Sequence, residues 1–224
     1  MMERDGRATI DVRMFTVGPV QENCFVVRER GARRAVIVDP GDEADRLLNA
    51  LDELEVETVE AILVTHTHFD HIGAVAPVAG ATGAPVYCPQ LETEVLANIM
   101  DYVPWPGFGP FESYEADHTV EGGETLELAG LSFDVVFTPG HSPGHVTYAL
   151  PAHDALFSGD VLFQGSVGRV DLPGGDWPTL LSSIESLVES FPPETTVHPG
   201  HMGITTLGRE RDTNPFLREL TTNR

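Results

Sequence analysis

Apolar residues along this chain fall into short runs separated by stretches rich in Gly, Pro, Asp and Glu. The runs Thr9–Phe15, Cys24–Val27, Ala35–Val38 and Val59–Val64 read as strands, because brief apolar segments bounded by turn-forming residues suit a buried sheet. Between Glu43 and Leu54 the period changes. Leu47, Leu48, Leu51 and Leu54 recur at helical spacing and predict a helix joining the third and fourth strands. A second helix is expected over Ile72, Val75 and Val78, ending near Gly80, followed by a short strand at Pro85–Tyr87 and a helix over Leu91–Met100. Asp101–Asp117 mixes Pro and Gly with Tyr102, Trp105, Phe108, Phe111 and Tyr114, and reads as an irregular loop that either walls a cleft or packs on the core through its aromatics. The second half repeats the strand pattern at Leu126–Leu128, Leu131–Phe137, Val146–Leu150 and Ala155–Ser158. A helix over Pro178–Glu189, with proline suited to its first turn, then leads to a short run at Thr195–Val197.

Four of these strands end in turns that carry metal-ligand residue types. Thr65-His66-Thr67-His68-Phe69-Asp70-His71-Ile72-Gly73 follows Val59–Val64 and places three imidazoles and a carboxylate within six positions. In an extended segment, side chains two apart share a face, so His66 and His68 can hold one ion together. Asp70 and His71 fall where the chain turns into a helix and would project toward a second ion. The other turns carry His141 (in Thr138-Pro139-Gly140-His141), Asp160 (Ser158-Gly159-Asp160) and His201 (His198-Pro199-Gly200-His201). Glycine in each allows close backbone approach.

On these motifs the chain resembles the metallo-β-lactamase superfamily, and within it the glyoxalase II-like (hydroxyacylglutathione hydrolase-like) branch. The resemblance spans Val36-Ile37-Val38-Asp39-Pro40-Gly41 to Gly200-His201. It implies an α/β fold, the four-layer αβ/βα sandwich, formed by residues 1–224 as one domain. It also implies two divalent metal ions, zinc first, with iron or manganese as alternatives. His66, His68 and His141 match the ligands of one ion; Asp70, His71 and His201 match those of the other; Asp160 matches the bridging carboxylate. The activity implied is hydrolysis of a small-molecule thioester of the S-lactoylglutathione type by metal-bound hydroxide, with Asp70 and Asp160 as catalytic residues. Arg169, in Gly168-Arg169-Val170-Asp171-Leu172-Pro173-Gly174-Gly175-Asp176, aligns with a basic substrate-contacting position; an ion pair with Asp171 or Asp176 is the alternative. Asp39 either orients a metal histidine or serves as plain turn chemistry, and His145 is expected to make a structural hydrogen bond. His118, His153 and His198 are expected at surfaces or turns.

Departures from that branch bear on the substrate. The helical domain that holds the glutathione carboxylates in the full-length hydrolase is expected to be missing, since only a short tail with Arg209, Arg211 and Arg218 follows Gly203. Gly203 also replaces the tyrosine found two residues after the last ligand. A shorter subgroup shares the Gly168–Asp176 segment and the Thr213-Asn214-Pro215-Phe216 ending, although Met202-Gly203 stands where it commonly has Gly-Pro. The rival reading is an iron-dependent persulfide dioxygenase using residues that match His66, His141 and Asp160; a non-enzymatic metal or redox sensor is a further alternative. His68, where a glutamate would be expected, argues against the flavodiiron branch.

Composition narrows the field. The formal net charge is −22, and all 13 basic residues are arginine, so nucleic acid and anionic membrane surfaces are poor partners. The acidity fits either a high-salt host or an arginine bias combined with an acidic surface. No run approaches the ~20 apolar residues of a membrane span. The charged N-terminus, Met1–Arg7, lacks the apolar core of a signal peptide. Cys24 and Cys88 sit in apolar settings and read as buried free thiols. These features together predict a cytoplasmic enzyme. Oligomeric state leaves no mark on the sequence.

Overall fold

The computed structural model describes residues 9–103 and 105–217; the charged N-terminal stretch and Arg218 lie outside them. Strands β1 (Ile10–Val17), β2 (Glu22–Glu29) and β3 (Arg34–Val38) lead into helix α1 (Ala44–Glu53) and strand β4 (Thr58–Leu63). Helices α2 (Phe69–Ile72) and α3 (Val75–Thr82), strand β5 (Val86–Pro89), helices α4 (Thr93–Ala97) and α5 (Ile99–Tyr102) and strand β6 (His118–Val120) complete the first half. The second half contains β7 (Thr125–Leu128), β8 (Leu131–Phe137), β9 (Val146–Leu150), β10 (Ala155–Gly159), the small hairpin β11 (Leu162–Phe163) and β12 (Ser166–Val167), helix α6 (Trp177–Ser190), β13 (Thr196–Pro199), β14 (Thr205–Thr206) and helix α7 (Leu207–Thr213). The main strands form two six-stranded sheets, ordered β1-β2-β3-β4-β5-β6 and β14-β13-β10-β9-β8-β7. Pairing is parallel from β3 to β6 and between β10 and β13, and antiparallel elsewhere in these sheets.

Three apolar clusters define four layers. Between the sheets, Phe25, Val27, Val36, Val38 and Leu63 meet Phe133, Val135, Val146, Tyr148 and Phe157. On the outer face of the first sheet, Val26, Ile37 and Ile62 pack against Leu47 and Leu51 of α1 and Val75 and Val78 of α3. On the outer face of the second, Ala149, Leu156 and Val197 pack against Leu180, Ile184 and Leu187 of α6. Both faces of the central strands are therefore buried, which is why they read as unbroken apolar runs rather than alternating ones. In the first sheet parity slips at Glu60. The β3–β4 register skips it between the pairs Ala35↔Val59 and Val36↔Ala61, so Val59 faces the helices and Ala61 the other sheet. This bulge leaves the Glu60 carboxylate to accept the Ala129 N–H of the opposite sheet and to pair with Arg34 at 2.7 Å.

The sandwich matches the expected architecture, with local differences. The helix predicted over Leu91–Met100 is broken at Asn98, whose φ of −137° is not helical and whose amide bonds back to the Glu94 carbonyl; such local bonds compete with helix continuation. The second helix runs past Gly80 to Thr82 and stops at Gly83, which takes the left-handed conformation of a helix terminator. The aromatic loop does both things considered for it. Phe108, Phe111 and Tyr114 pack on the helix-side core, whereas Trp105 and Tyr102 face a cleft. His198 is a correction: it is not at a surface but 7% exposed, between Phe25 and Phe157. Cys24 and Cys88 are buried free thiols. No helix among the described residues is long and apolar enough to cross a membrane.

Candidate metal centre

The ligand-bearing turns gather at one edge of the sandwich. The chain bends at Thr65 after β4, and His68, in an extended conformation (φ −63°, ψ 144°), is the residue from which α2 starts. Asp70 and His71 thereby fall in a helical turn and point beside, not along, the His66–His68 pair. His141 lies between β8 and β9, Asp160 just beyond β10, and His201 just beyond β13. All of the ligand residues expected from the sequence come together. His66, His68 and His141 form one group; Asp70, His71 and His201 form another; His66, His71 and Asp160 form a third between them. Within each group the candidate ligand atoms lie within 4.8 Å of one another.

His141 Nε2 is 2.8 Å from His68 Nδ1 and 3.2 Å from His66 Nε2. On the other side, His201 Nε2 is 3.3 Å from Asp70 Oδ2, and Asp160 reaches both groups. Its Oδ1 is 3.2 Å from His71 Nε2, and its Oδ2 is 3.5 Å from both His141 and His201 Nε2. The donor set fits metal ions on two counts. His71 Nε2 and Asp160 Oδ1 are fully buried yet make no hydrogen bond, an arrangement that is costly unless a ligand satisfies them. Burial, reinforced by the neighbouring rings, pushes His66 well below the usual imidazole range and His68 down to about 4, leaving neutral rings with lone pairs to offer. The carboxylate side has the opposite bias. Burial opposes charge on Asp160, but the positive charge of His71 and His201 outweighs it and holds Asp160 well below the usual carboxylate range. Burial likewise opposes protonation of His71 and His201, yet Asp160 and its acidic neighbours raise both. That side of the site draws positive charge, as protons or as an ion.

Outer contacts set the rings. Asp39, at φ 48°, accepts Thr65 N–H at 2.7 Å and Thr65 Oγ1 at 2.6 Å, and its Oδ2 lies 3.0 Å from His71 Nδ1. It therefore orients a ligand-type histidine and is more than turn chemistry; such contacts fix the tautomer that leaves Nε2 free. His141 Nδ1 bonds to the Arg169 carbonyl at 2.7 Å and His201 Nδ1 to the Gln21 carbonyl at 3.2 Å, to the same effect. His145 makes the expected structural bonds: its Nε2 accepts the Asp160 main-chain N–H at 3.1 Å, its Nδ1 meets Thr138 Oγ1 at 3.0 Å, and its ring stacks on His66. Arg169 forms a bidentate pair with Asp171 at 2.6 and 2.7 Å, so the ion-pair alternative holds, but the residue also lines the cleft with its guanidinium 6.0 Å from the Trp105 ring.

Sequence reasoning missed three residues. Asn23 donates to the Pro199 and Met202 carbonyls at 3.0 and 2.9 Å and so holds the His201 turn. Glu22 is fully buried with its Oε1 3.8 Å from His71 Nδ1, and neither carboxylate oxygen makes a hydrogen bond. Glu92 links Thr67 to Ser142. None lies in a motif, and each acts on residues remote in sequence.

The centre forms the floor of a cleft of about 710 Å³. Val20, Phe69, Leu91, Trp105, Phe163 and Leu172 contribute its apolar walls, and His68, Asp70, His141, Asp160 and His201 its polar base. Comparison with known proteins agrees with this geometry. A family model described as the metallo-beta-lactamase superfamily matches residues 17–201. The chain is 40% identical over 210 residues to the probable metallo-hydrolase YqgX of Bacillus subtilis, covering 92% of this chain and 96% of that protein. It is 32% identical over 210 residues to the hydroxyacylglutathione hydrolase GloC of Haemophilus influenzae, covering 93% and 98%. Among solved structures it matches the BLEG-1 B3 metallo-beta-lactamase with a TM-score of 0.86 at 41% identity, covering 92% of this chain and 99% of that one. It matches TTHA1623, solved in a di-iron-bound form, with a TM-score of 0.73 at 43% identity, covering 92% and 100%. With one ligand cluster, one fold and full-length relatives in agreement, the chain belongs to the metallo-β-lactamase superfamily, among its metallo-hydrolases.

Proposed function

We propose that the protein hydrolyses a small-molecule thioester of the S-lactoylglutathione type with the help of two divalent metal ions. His66, His68 and His141 would hold one ion, Asp70, His71 and His201 the other, and Asp160 would bridge them. The observation that carries the reading is the convergence of both donor sets, joined by Asp160, on the floor of one apolar-walled cleft. The substrate class is supported by the relative named as a hydroxyacylglutathione hydrolase. The dioxygenase reading needs only His66, His141 and Asp160 and leaves the second donor set unused, so the Leu172-Pro173-Gly174-Gly175 segment, not the donor set, favours hydrolysis. Nitrogen and oxygen donors suit zinc, iron and manganese alike, and the di-iron form of TTHA1623 keeps iron beside zinc as the candidate.

When bound, such ions supply Lewis acidity toward a carbonyl and hydroxide at neutral pH. The chain's own part is to place and shield the reaction. Asp70, whose Oδ2 lies 3.3 Å from His201 Nε2 at the cleft floor, would accept a hydrogen bond from the attacking water and so aim its lone pair at the thioester carbonyl. Phe69, Trp105 and Phe163 keep bulk water from the acyl group. A thiolate leaves readily near neutral pH, so no strong general acid is required of the cleft. Arg169 meets an anionic part of the substrate at the rim, exchanging its bond to Asp171. Two buried free thiols suit a reducing, cytoplasmic setting.

The test follows loss of thioester absorbance from S-D-lactoylglutathione, with a β-lactam assayed in parallel because of the likeness to BLEG-1. Thioester hydrolysis that exceeds β-lactam turnover and falls at least ~100-fold in Asp160→Ala is expected. No thioester loss by metal-loaded protein, or loss that Asp160→Ala retains, would overturn the reading. Preferential β-lactam hydrolysis would replace it.

A further inference from the structure

Glu92 has no place in this scheme, yet it is 4% exposed and its two oxygens collect four hydrogen bonds. Its Oε2 accepts the main-chain N–H of Thr67 at 3.1 Å and Thr67 Oγ1 at 2.6 Å. Its Oε1 accepts Ser142 Oγ at 2.6 Å and the main-chain N–H of Gly144 at 2.8 Å. Thr67 stands between His66 and His68, and Ser142 follows His141. These two turns belong to different sheets, the first beyond β4 and the second beyond β8. One carboxylate thus ties together the two halves of a three-histidine group. Packing leaves it little freedom, since a Cβ on Gly144 would come within 2.5 Å of Glu92 Cγ.

We propose that Glu92 is the positioning residue of the first ion: it fixes the separation of the His66–His68 turn from the His141 turn and thereby sets the affinity of that group for its metal. The inference rests on the two-ion reading above. It is specific to one ion because the other group is braced by different residues, Asp39 on His71 and Asn23 on the His201 turn. A glutamine at position 92 would present an NH₂ to one of the two main-chain N–H groups, which can only donate, so Glu92→Gln opens one side of the tie without emptying its space. Ser142→Ala removes a single bond of the four and leaves the carboxylate in place.

The experiment titrates Co²⁺ into metal-free protein against a chromophoric chelator, recording binding constants and the visible cobalt spectrum for wild type, Glu92→Gln, Ser142→Ala and Asp70→Asn. Wild type is expected to bind two equivalents. In Glu92→Gln one equivalent weakens about 10–100-fold with an altered cobalt spectrum while the other is unchanged, the size usual for groups that orient ligands. Ser142→Ala shifts the same equivalent by less, and Asp70→Asn weakens the other one. If Glu92→Gln and Ser142→Ala bind both equivalents as wild type does and only melt at a lower temperature, Glu92 is a fold brace and the inference fails. Equal weakening of both equivalents overturns it as well. Fewer than two equivalents in wild type would sink the two-ion reading itself, before any variant is compared, and this inference with it.

Discussion

His198 lies stacked on Phe157 at 4.9 Å and edge-on to Phe25 at 5.4 Å, with its Nδ1 buried and unbonded. Burial drives its pKa down from the ordinary 6.5 to about 4. Between those values the unfolded chain takes up a proton that the folded one refuses, so the stability contribution is complete above about pH 6.5 and is lost as pH falls toward 4, at up to about 1.4 kcal/mol per unit. Denaturant unfolding at pH 7 and pH 5 should therefore show a drop that is smaller in His198→Phe by on the order of 2 kcal/mol; identical drops would contradict the assignment. Gly200, two residues on, is constrained by space alone. A Cβ there would overlap the Asp160 carboxylate and the His71 ring. The candidate ligand residues were legible in the sequence because their chemistry resides in residue type and in a repeated setting, a strand running into a glycine turn. Glu92, Glu22 and Asn23 were not, because the partners that tie them to the site lie 25 to 179 positions away and only the assembled sheets define them. His198 was misjudged for a related reason: it neighbours a ligand turn, but its side chain faces the inter-sheet core.

Elements with a strong period were legible and the weak ones were not. Leu47 and Leu51 announce α1 and are buried against the first sheet. Replacing Leu47 by Ala should cost about 2–5 kcal/mol in denaturant unfolding, as for other buried leucines. Because α1 packs on the face away from the other sheet, metal stoichiometry at saturation should stay at the wild-type value; loss of an ion would show that the centre depends on this helix. Strands β6 and β14 escaped notice because they are three and two residues long and their residues are largely polar. They exist through pairing with β5 and β13, not through any pattern of their own. Asn98 broke a helix that the apolar spacing alone would have continued, and Gly83 rather than Gly80 ended another because only the former adopts the left-handed angle.

At the scale of the molecule, two sheets and their outer helices bring turns from distant parts of the chain to one edge and cover them with an apolar-walled cleft. Each sheet alone carries an incomplete centre: His66, His68, Asp70 and His71 leave the first, His141, Asp160 and His201 the second. The order of motifs along the sequence identified this design, whereas the cleft wall from the aromatic loop and the tie through Glu92 required the folded chain. The activity proposed for this centre is metal-dependent thioester hydrolysis. Its most direct test is to strip the protein with chelator, add back Zn²⁺ or Fe²⁺ in measured steps, and follow S-D-lactoylglutathione hydrolysis at each step. Activity absent in the stripped protein and rising until two equivalents are bound is the predicted result. Hydrolysis that persists without metal, or that stays absent at two bound equivalents, would contradict it.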